Sequence, residues 1–217
     1  MCRLKKRTMK QQPILILTII FFVTSCGMKS KQDLTENYDE NKSKIIELKD
    51  YFNKIIPENY LVTIRYNASD NINLFVYQPV KNSENHELLF QQWDLDLDDY
   101  EPQPQTEYEK QYHGITNSLE ILKEKLNWTD ETFVELYKKL DNINCIGISN
   151  GKPTEIEYGF KGMGVFSYLI FDENLNTALQ EKHSDDCSQM FYKDNVVLSY
   201  GSGAVGSFCT PEFKRTK

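Results

Sequence analysis

Histidine is scarce in this chain: His86, His113 and His183 are the only three among 217 residues. None pairs with another at the i, i+4 spacing of a helical zinc site, so the His-Glu-x-x-His pattern of metalloproteases is excluded. Long apolar runs are also missing. Residues 14–23 (ILILTIIFFV), interrupted only by Thr18, would span about 15 Å as a helix, roughly half of a hydrocarbon core. That is short for a transmembrane span. Positive charge is in deficit, with 25 Lys and Arg against 32 Asp and Glu. Such a balance disfavours nucleic acid, whose phosphates would be repelled. No Pro- or Ser-rich break divides residues 40–210, and no internal repeat is visible, so the length fits a single domain.

What is present begins at the N-terminus. Residues 1–12 carry five basic side chains (Arg3, Lys5, Lys6, Arg7, Lys10) and no acid, and the apolar run follows. A basic segment ahead of a short apolar one is the pattern of an export signal. Next comes Val23-Thr24-Ser25-Cys26-Gly27: a branched apolar residue three before a cysteine, small residues between, then Cys. This segment resembles the lipobox of bacterial lipoproteins. The resemblance covers about the first 30 residues and is silent on the rest. It implies that Cys26 carries diacylglycerol on its sulfur, that the chain is cut before Cys26, and that the new amino group is acylated, typically with palmitate-like chains. The implied organisation is a signal peptide over 1–25, a lipidated cysteine and polar tether over 26–33, and one domain over 34–217. Gly27 is not the Asp that retains enteric lipoproteins in the inner membrane. The address implied is therefore a lipid-anchored place in the cell envelope, on the outer membrane if the cell has one.

Cleavage would leave 192 residues and, by removing five positive charges and no negative ones, move the formal charge from −7 to −12. An acidic surface of that size suits a basic protein partner, although a merely solvated face has the same composition.

Residues 34–56 place Leu34, Tyr38, Ile45, Leu48, Phe52 and Ile55 at helical spacing, and Pro57 stops the run. Strands are expected at 60–66, 72–78 and 87–97, with turn residues Asn67, Asp70 and Asn71 between the first two. The prolines Pro102 and Pro104 mark Asp98–Gln111 as a loop. A stripe of Ile115, Leu119, Leu122 and Leu126 predicts a helix over 114–127. Thr129 reads as the N-cap of another, with Asp130 and Glu131 in its first turn. Strands are then expected at 143–149, 154–160, 163–171, 189–193, 196–200 and 204–208, with a short helix at 173–182. Asn150-Gly151 and Asp194-Asn195 read as hairpin turns. The predicted class is α+β, a mainly antiparallel sheet with helices packed against it.

Three cysteines remain in the domain: Cys145, Cys187 and Cys209. Outside the cytoplasm a disulfide persists. Cys187–Cys209 is the favoured pair because the two bracket the last strands. A tight meander would separate them by over about 20 Å, far beyond the ~7 Å a bridge tolerates. The pair therefore requires the Gly-rich stretch 201–206 to be a loop; otherwise Cys145 is the alternate partner, or all three are buried thiols.

No catalytic or metal-binding set stands out, and no cofactor is implied. Gly201-Ser-Gly203-Ala-Val-Gly206 matches the dinucleotide fingerprint, but too little chain follows for the required helix and strand. Ser202 lacks the GxSxG elbow. Asp94, Asp96, Asp98 and Asp99 resemble the start of an EF-hand loop without its Gly and Glu, and read as a strand with an acidic face. His183, Asp185, Asp186 and Cys187 form one short polar cluster with no second ligand set nearby. The aromatics Tyr158, Phe160, Phe166, Tyr168, Phe171, Phe191, Tyr192 and Tyr200 sit at strand spacing, in the manner of core. The functional expectation is a membrane-anchored protein that binds a protein or small ligand. The alternatives are a structural or assembly lipoprotein, or a hydrolase using carboxylates or a metal.

Overall fold

A computed structural model describes residues 29–81, 83–102, 104–201 and 209–214. The fold is α+β. Among the described residues eight strands form one sheet in the order β3-β2-β1-β4-β5-β6-β8-β7, with every neighbouring pair antiparallel. The chain opens with helix α1 (Lys31–Ile55), then the meander β1 (Leu61–Tyr66), β2 (Asn71–Pro79) and β3 (His86–Asp96). Helices α2 (Glu107–His113), α3 (Leu119–Leu126) and α4 (Asp130–Asp141) carry the chain back to the free side of β1. There β4 (Gly147–Ser149), β5 (Thr154–Lys161) and β6 (Gly164–Ile170) extend the sheet. After α5 (Thr177–Lys182), β7 (Gln189–Lys193) forms the far edge, and β8 (Val196–Gly201) slots between β7 and β6.

Alternation along the strands decides which face meets the helices. Val62, Ile64 and Tyr66 of β1 are buried on one side, continuous with Ile72, Leu74 and Val76 of β2 and with Ile156, Tyr168 and Leu198 farther along. Helix α1 buries Leu34, Tyr38, Ile45, Leu48 and Phe52 against that side. Ser30 starts the helix: its Oγ accepts from the Asp33 N–H, and the Asp33 carboxylate accepts from the Ser30 N–H. The Tyr168 hydroxyl donates to the Leu34 carbonyl (2.8 Å) and accepts from the Asn37 amide (3.0 Å), fixing α1 on β6. Helix α4 is tied to the other half by the Tyr66 hydroxyl, which donates to the Phe133 carbonyl (2.7 Å).

Several boundaries differ from the sequence reading. Residues 31–33, expected in the tether, belong to α1 because Ser30 and Asp33 form its cap. The expected helix over 114–127 starts only at Leu119. Gly114 closes α2 with a positive φ of 91°, and Ser118 caps the new helix. A Cβ at Gly114 would lie 2.5 Å from the Leu89 backbone. The segment after it instead runs along β3, where Ile115 and Thr116 N–H groups donate to the Leu88 and Leu89 carbonyls and cover that sheet edge. The Asp98–Gln111 loop contains the start of α2, capped reciprocally by Thr106 and Glu109. The strand expected over 143–149 is only Gly147–Ser149. Asn144 takes a left-handed turn (φ 55°) and the Cys145 N–H donates back to the Leu140 carbonyl, so Cys145 closes α4 rather than lying in a strand.

Cys187 and Cys209 form the disulfide, with Cα atoms 4.1 Å apart. The Thr210 N–H donates to the Cys187 carbonyl beside it (2.9 Å). The expected strand 204–208 lies outside the described residues. The bridge pins the C-terminal turn Pro211–Phe213, whose Phe213 is buried against Phe166. Replacing both cysteines with serine is expected to lower the unfolding free energy by about 3 kcal/mol, the chain-entropy cost of releasing a loop of this size. Urea denaturation of the variant beside the oxidised protein reads this directly; an unchanged midpoint would contradict it.

Candidate functional site

A concavity lies where the β1–β2 turn, the segment after β3 and helices α3 and α4 converge. Its volume is about 650 Å³, within the size range of ligand sites. The placement follows from local structure. The Leu97 N–H donates to the Asp70 carbonyl (2.8 Å), fastening the post-β3 segment to the β1–β2 turn. The Tyr100 hydroxyl donates to the Asn117 carbonyl (2.9 Å), holding the same segment against the start of α3. Leu97, Tyr100, Leu119 and Phe133 supply apolar lining, and Val134 adds an apolar side chain that is 48% exposed.

Around this lining stand four carboxylates: Asp70, Asp98, Glu120 and Asp130. Lys123 is the only cation lining the concavity among the described residues, and it is committed. Its ammonium bonds Glu120 (2.5 Å) and Asp130 (3.0 Å) with the side chain 14% exposed. These carboxylates hold the Lys123 pKa above its ordinary value, the Glu120 bond most of all. Asp70 and Asp98 take no part in that network. The two carboxylates thus stand beside the apolar lining with no ion-pair partner among the described residues. No histidine or cysteine lines the concavity among the described residues.

The acidic strand face splits on folding. Asp94 sits in a positive-φ position (49°) at the irregular end of β3, where its carboxylate accepts from the Asn67 amide (3.0 Å). The Asp96 carboxylate accepts the Asp98 and Asp99 N–H groups, forming the turn that delivers Asp98 to the concavity. Only Asp98 of the four faces it. The 183–187 cluster also has structural employment. His183 Nδ1 bonds the Gln189 amide oxygen (2.8 Å), and Cys187 is oxidised. Asp185 accepts from the Cys187, Ser188 and Gln189 N–H groups and from the Ser188 hydroxyl. Burial opposes its charge, but those bonds prevail and hold the Asp185 pKa below its ordinary value. Among the described residues no group of three or more His, Cys, Asp or Glu is arranged to hold a metal ion.

His86 Nε2 bonds the Asn59 carbonyl (2.8 Å), and His113 ends α2. Cys145 is a free, buried thiol whose pKa is pushed up by burial, so little nucleophilic thiolate forms. Of the aromatic run, Tyr158, Phe166 and Tyr168 are core, Phe171 and Phe191 join a second cluster around Leu169, Leu175 and Val197, and Phe160 is half-exposed. Gly201 ends β8; the remainder of the fingerprint, Ser202 included, lies outside the described residues, as does Cys26. No helix among the described residues is long and apolar enough to cross a membrane.

Sequence reasoning missed Asp70, Glu120, Lys123 and Asp130 as one site. They come from three separate elements, and nothing in their spacing signals convergence. No protein-family model, no curated protein and no solved structure matches the chain.

Proposed function

We propose that this chain is a lipid-anchored binding protein of the cell envelope, exported, cut before Cys26, and holding a basic segment of a protein partner in the α3–α4 concavity. One observation carries the binding half of this reading: apolar lining next to carboxylates, two of which lie outside the Lys123 network. A lysine or arginine entering there would set its methylenes on Leu97, Phe133 and Val134 and its charge against Asp70 and Asp98. The mature charge of −12 adds long-range attraction for such a partner and speeds its encounter. The anchor half rests on the basic segment, the apolar run and the lipobox in register.

Charge reversal tests the site. Asp70→Lys with Asp98→Lys is expected to weaken capture of a basic envelope partner about 10-fold or more, since like charges facing across an interface cost several kcal/mol. Glu58→Lys, in the turn before β1, is expected to leave capture unchanged. Affinity is read by surface plasmon resonance on the immobilised domain. Equal affinity for wild type and the double variant would remove the concavity from the reading.

A further inference from the structure

We propose that the turn between β5 and β6 dips into the lipid bilayer, so that Phe160 and Met163 form a second, non-covalent contact beside the anchor. This rests on the reading that Cys26 is lipidated. At this turn Phe160 is 50% exposed and Met163 64% exposed, with Gly162 between them at a φ of 60°. Both side chains are large and apolar; one side of the Phe160 ring packs against the Arg65 guanidinium, 5.1 Å from the ring centre.

Chain length supplies the occupant. The Lys29 side chain lies across Gly159, and its ammonium is 4.3 Å from the centre of the Tyr158 ring. Lys29 is thus fastened to β5 just before the tip. Two residues, Gly27 and Met28, separate it from Cys26, and the three Cα–Cα steps reach at most about 11 Å when fully extended. A diacylglyceryl group on Cys26 holds that sulfur at the level of the lipid headgroups. Its short reach brings the β5–β6 tip to the same level.

Glu212 fixes the geometry further. Its carboxylate accepts from the Lys31 N–H at the start of α1 and pairs with the Lys161 ammonium on the tip. One carboxylate therefore ties the first turn of α1, the C-terminal turn and the hairpin together. Charge favours the same orientation. Lys29, Lys31 and Lys161 at this end lie beside Asp33 and Glu212, whereas the mature chain as a whole carries −12. An anionic bilayer repels the rest of the surface and tolerates this end.

The full lipidated chain is purified from membranes as Met163→Cys, and separately as Glu58→Cys, and labelled with a water-sensitive nitrobenzoxadiazole thiol reagent. Cys145 is buried and Cys187 and Cys209 are bridged, so the introduced thiol takes the label. Each is reconstituted into vesicles of phosphatidylethanolamine and phosphatidylglycerol, some carrying a doxyl quencher on the acyl chain. The label at position 163 is expected to brighten, shift to the blue and be quenched by the doxyl lipid; the label at 58 is expected to stay water-like. Co-sedimentation with a water-like label at 163 would overturn the tip contact and leave the anchor standing. A chain that neither sediments nor carries acyl mass would overturn both.

Discussion

Replacing Arg65 with methionine is expected to destabilise the domain by about 3–5 kcal/mol, the cost of leaving a buried charge without its partner. Arg65 on β1 and Glu157 on β5 meet across Gly147 of β4, on the sheet face away from the helices. The guanidinium donates through Nε to Oε2 and through Nη2 to Oε1, each at 2.5 Å, the forked geometry that suits arginine and not lysine. Glu157 is only 6% exposed, and the Arg65 side chain 14%. Gly147 is what allows the approach: a Cβ there would lie 2.6 Å from the Glu157 carboxylate and 2.9 Å from the Ile64 carbonyl. Glu155, held above its ordinary pKa mainly by burial, lies on the same face. Removing Arg65 therefore leaves two carboxylates in a poorly solvated place. Arg65→Met with Glu157→Leu is expected to recover most of the loss, because an apolar pair needs no charge compensation. Urea unfolding of the single and double variants reads both effects. A neutral single variant would show that solvent reaches the pair.

The second large effect concerns the membrane. Cys26→Ala is expected to abolish acylation, block removal of the leader and release the protein from membranes on alkaline washing. Each buried methylene contributes about 0.8 kcal/mol, so two or three acyl chains hold a protein where one gives only marginal binding. The uncut leader is a weak substitute, since its ten-residue apolar run covers about half of the hydrocarbon core. Fractionation of cells expressing each form reads the outcome. Equal retention of both after washing would mean that something other than Cys26 holds the chain.

Much of the fold was legible because its periodicities are strong. The stripe Leu34, Tyr38, Ile45, Leu48, Phe52 became the buried side of α1, and the Val62, Ile64, Tyr66 alternation became the buried face of β1. Thr129 opens α4 as its position implies. Failures came where a local signal was outweighed or unread. The Leu119-Leu122-Leu126 stripe was extended back to Ile115, yet Gly114 had already ended a helix there, and Ile115 is 48% exposed. Thr106 and Glu109 spell a capping box that the neighbouring Pro102 and Pro104 obscured. Cys145 looked like a strand residue because Ile143 and Ile146 flank it, but Asn142 and Asn144 close the preceding helix first.

The disulfide was legible only as a choice. A tight meander argued against Cys187–Cys209, and the bond decides in its favour because the chain returns to Cys187 after residue 208. The concavity was the least legible feature. Asp98 stands out in the sequence as part of an acidic run, but Glu120 and Asp130 meet it and Asp70 of the β1–β2 turn only through the β3-to-α4 excursion. Long-range convergence of this kind leaves no period in a sequence.

Mass spectrometry of the N-terminal peptide from membrane-purified protein tests the central claim most directly. The expected spectrum shows a chain beginning at Cys26, with a diacylglyceryl thioether on its sulfur and an acyl group on its amine. A peptide that runs through position 26 uncut, with that thiol unmodified, would contradict the anchor and the membrane contact built upon it.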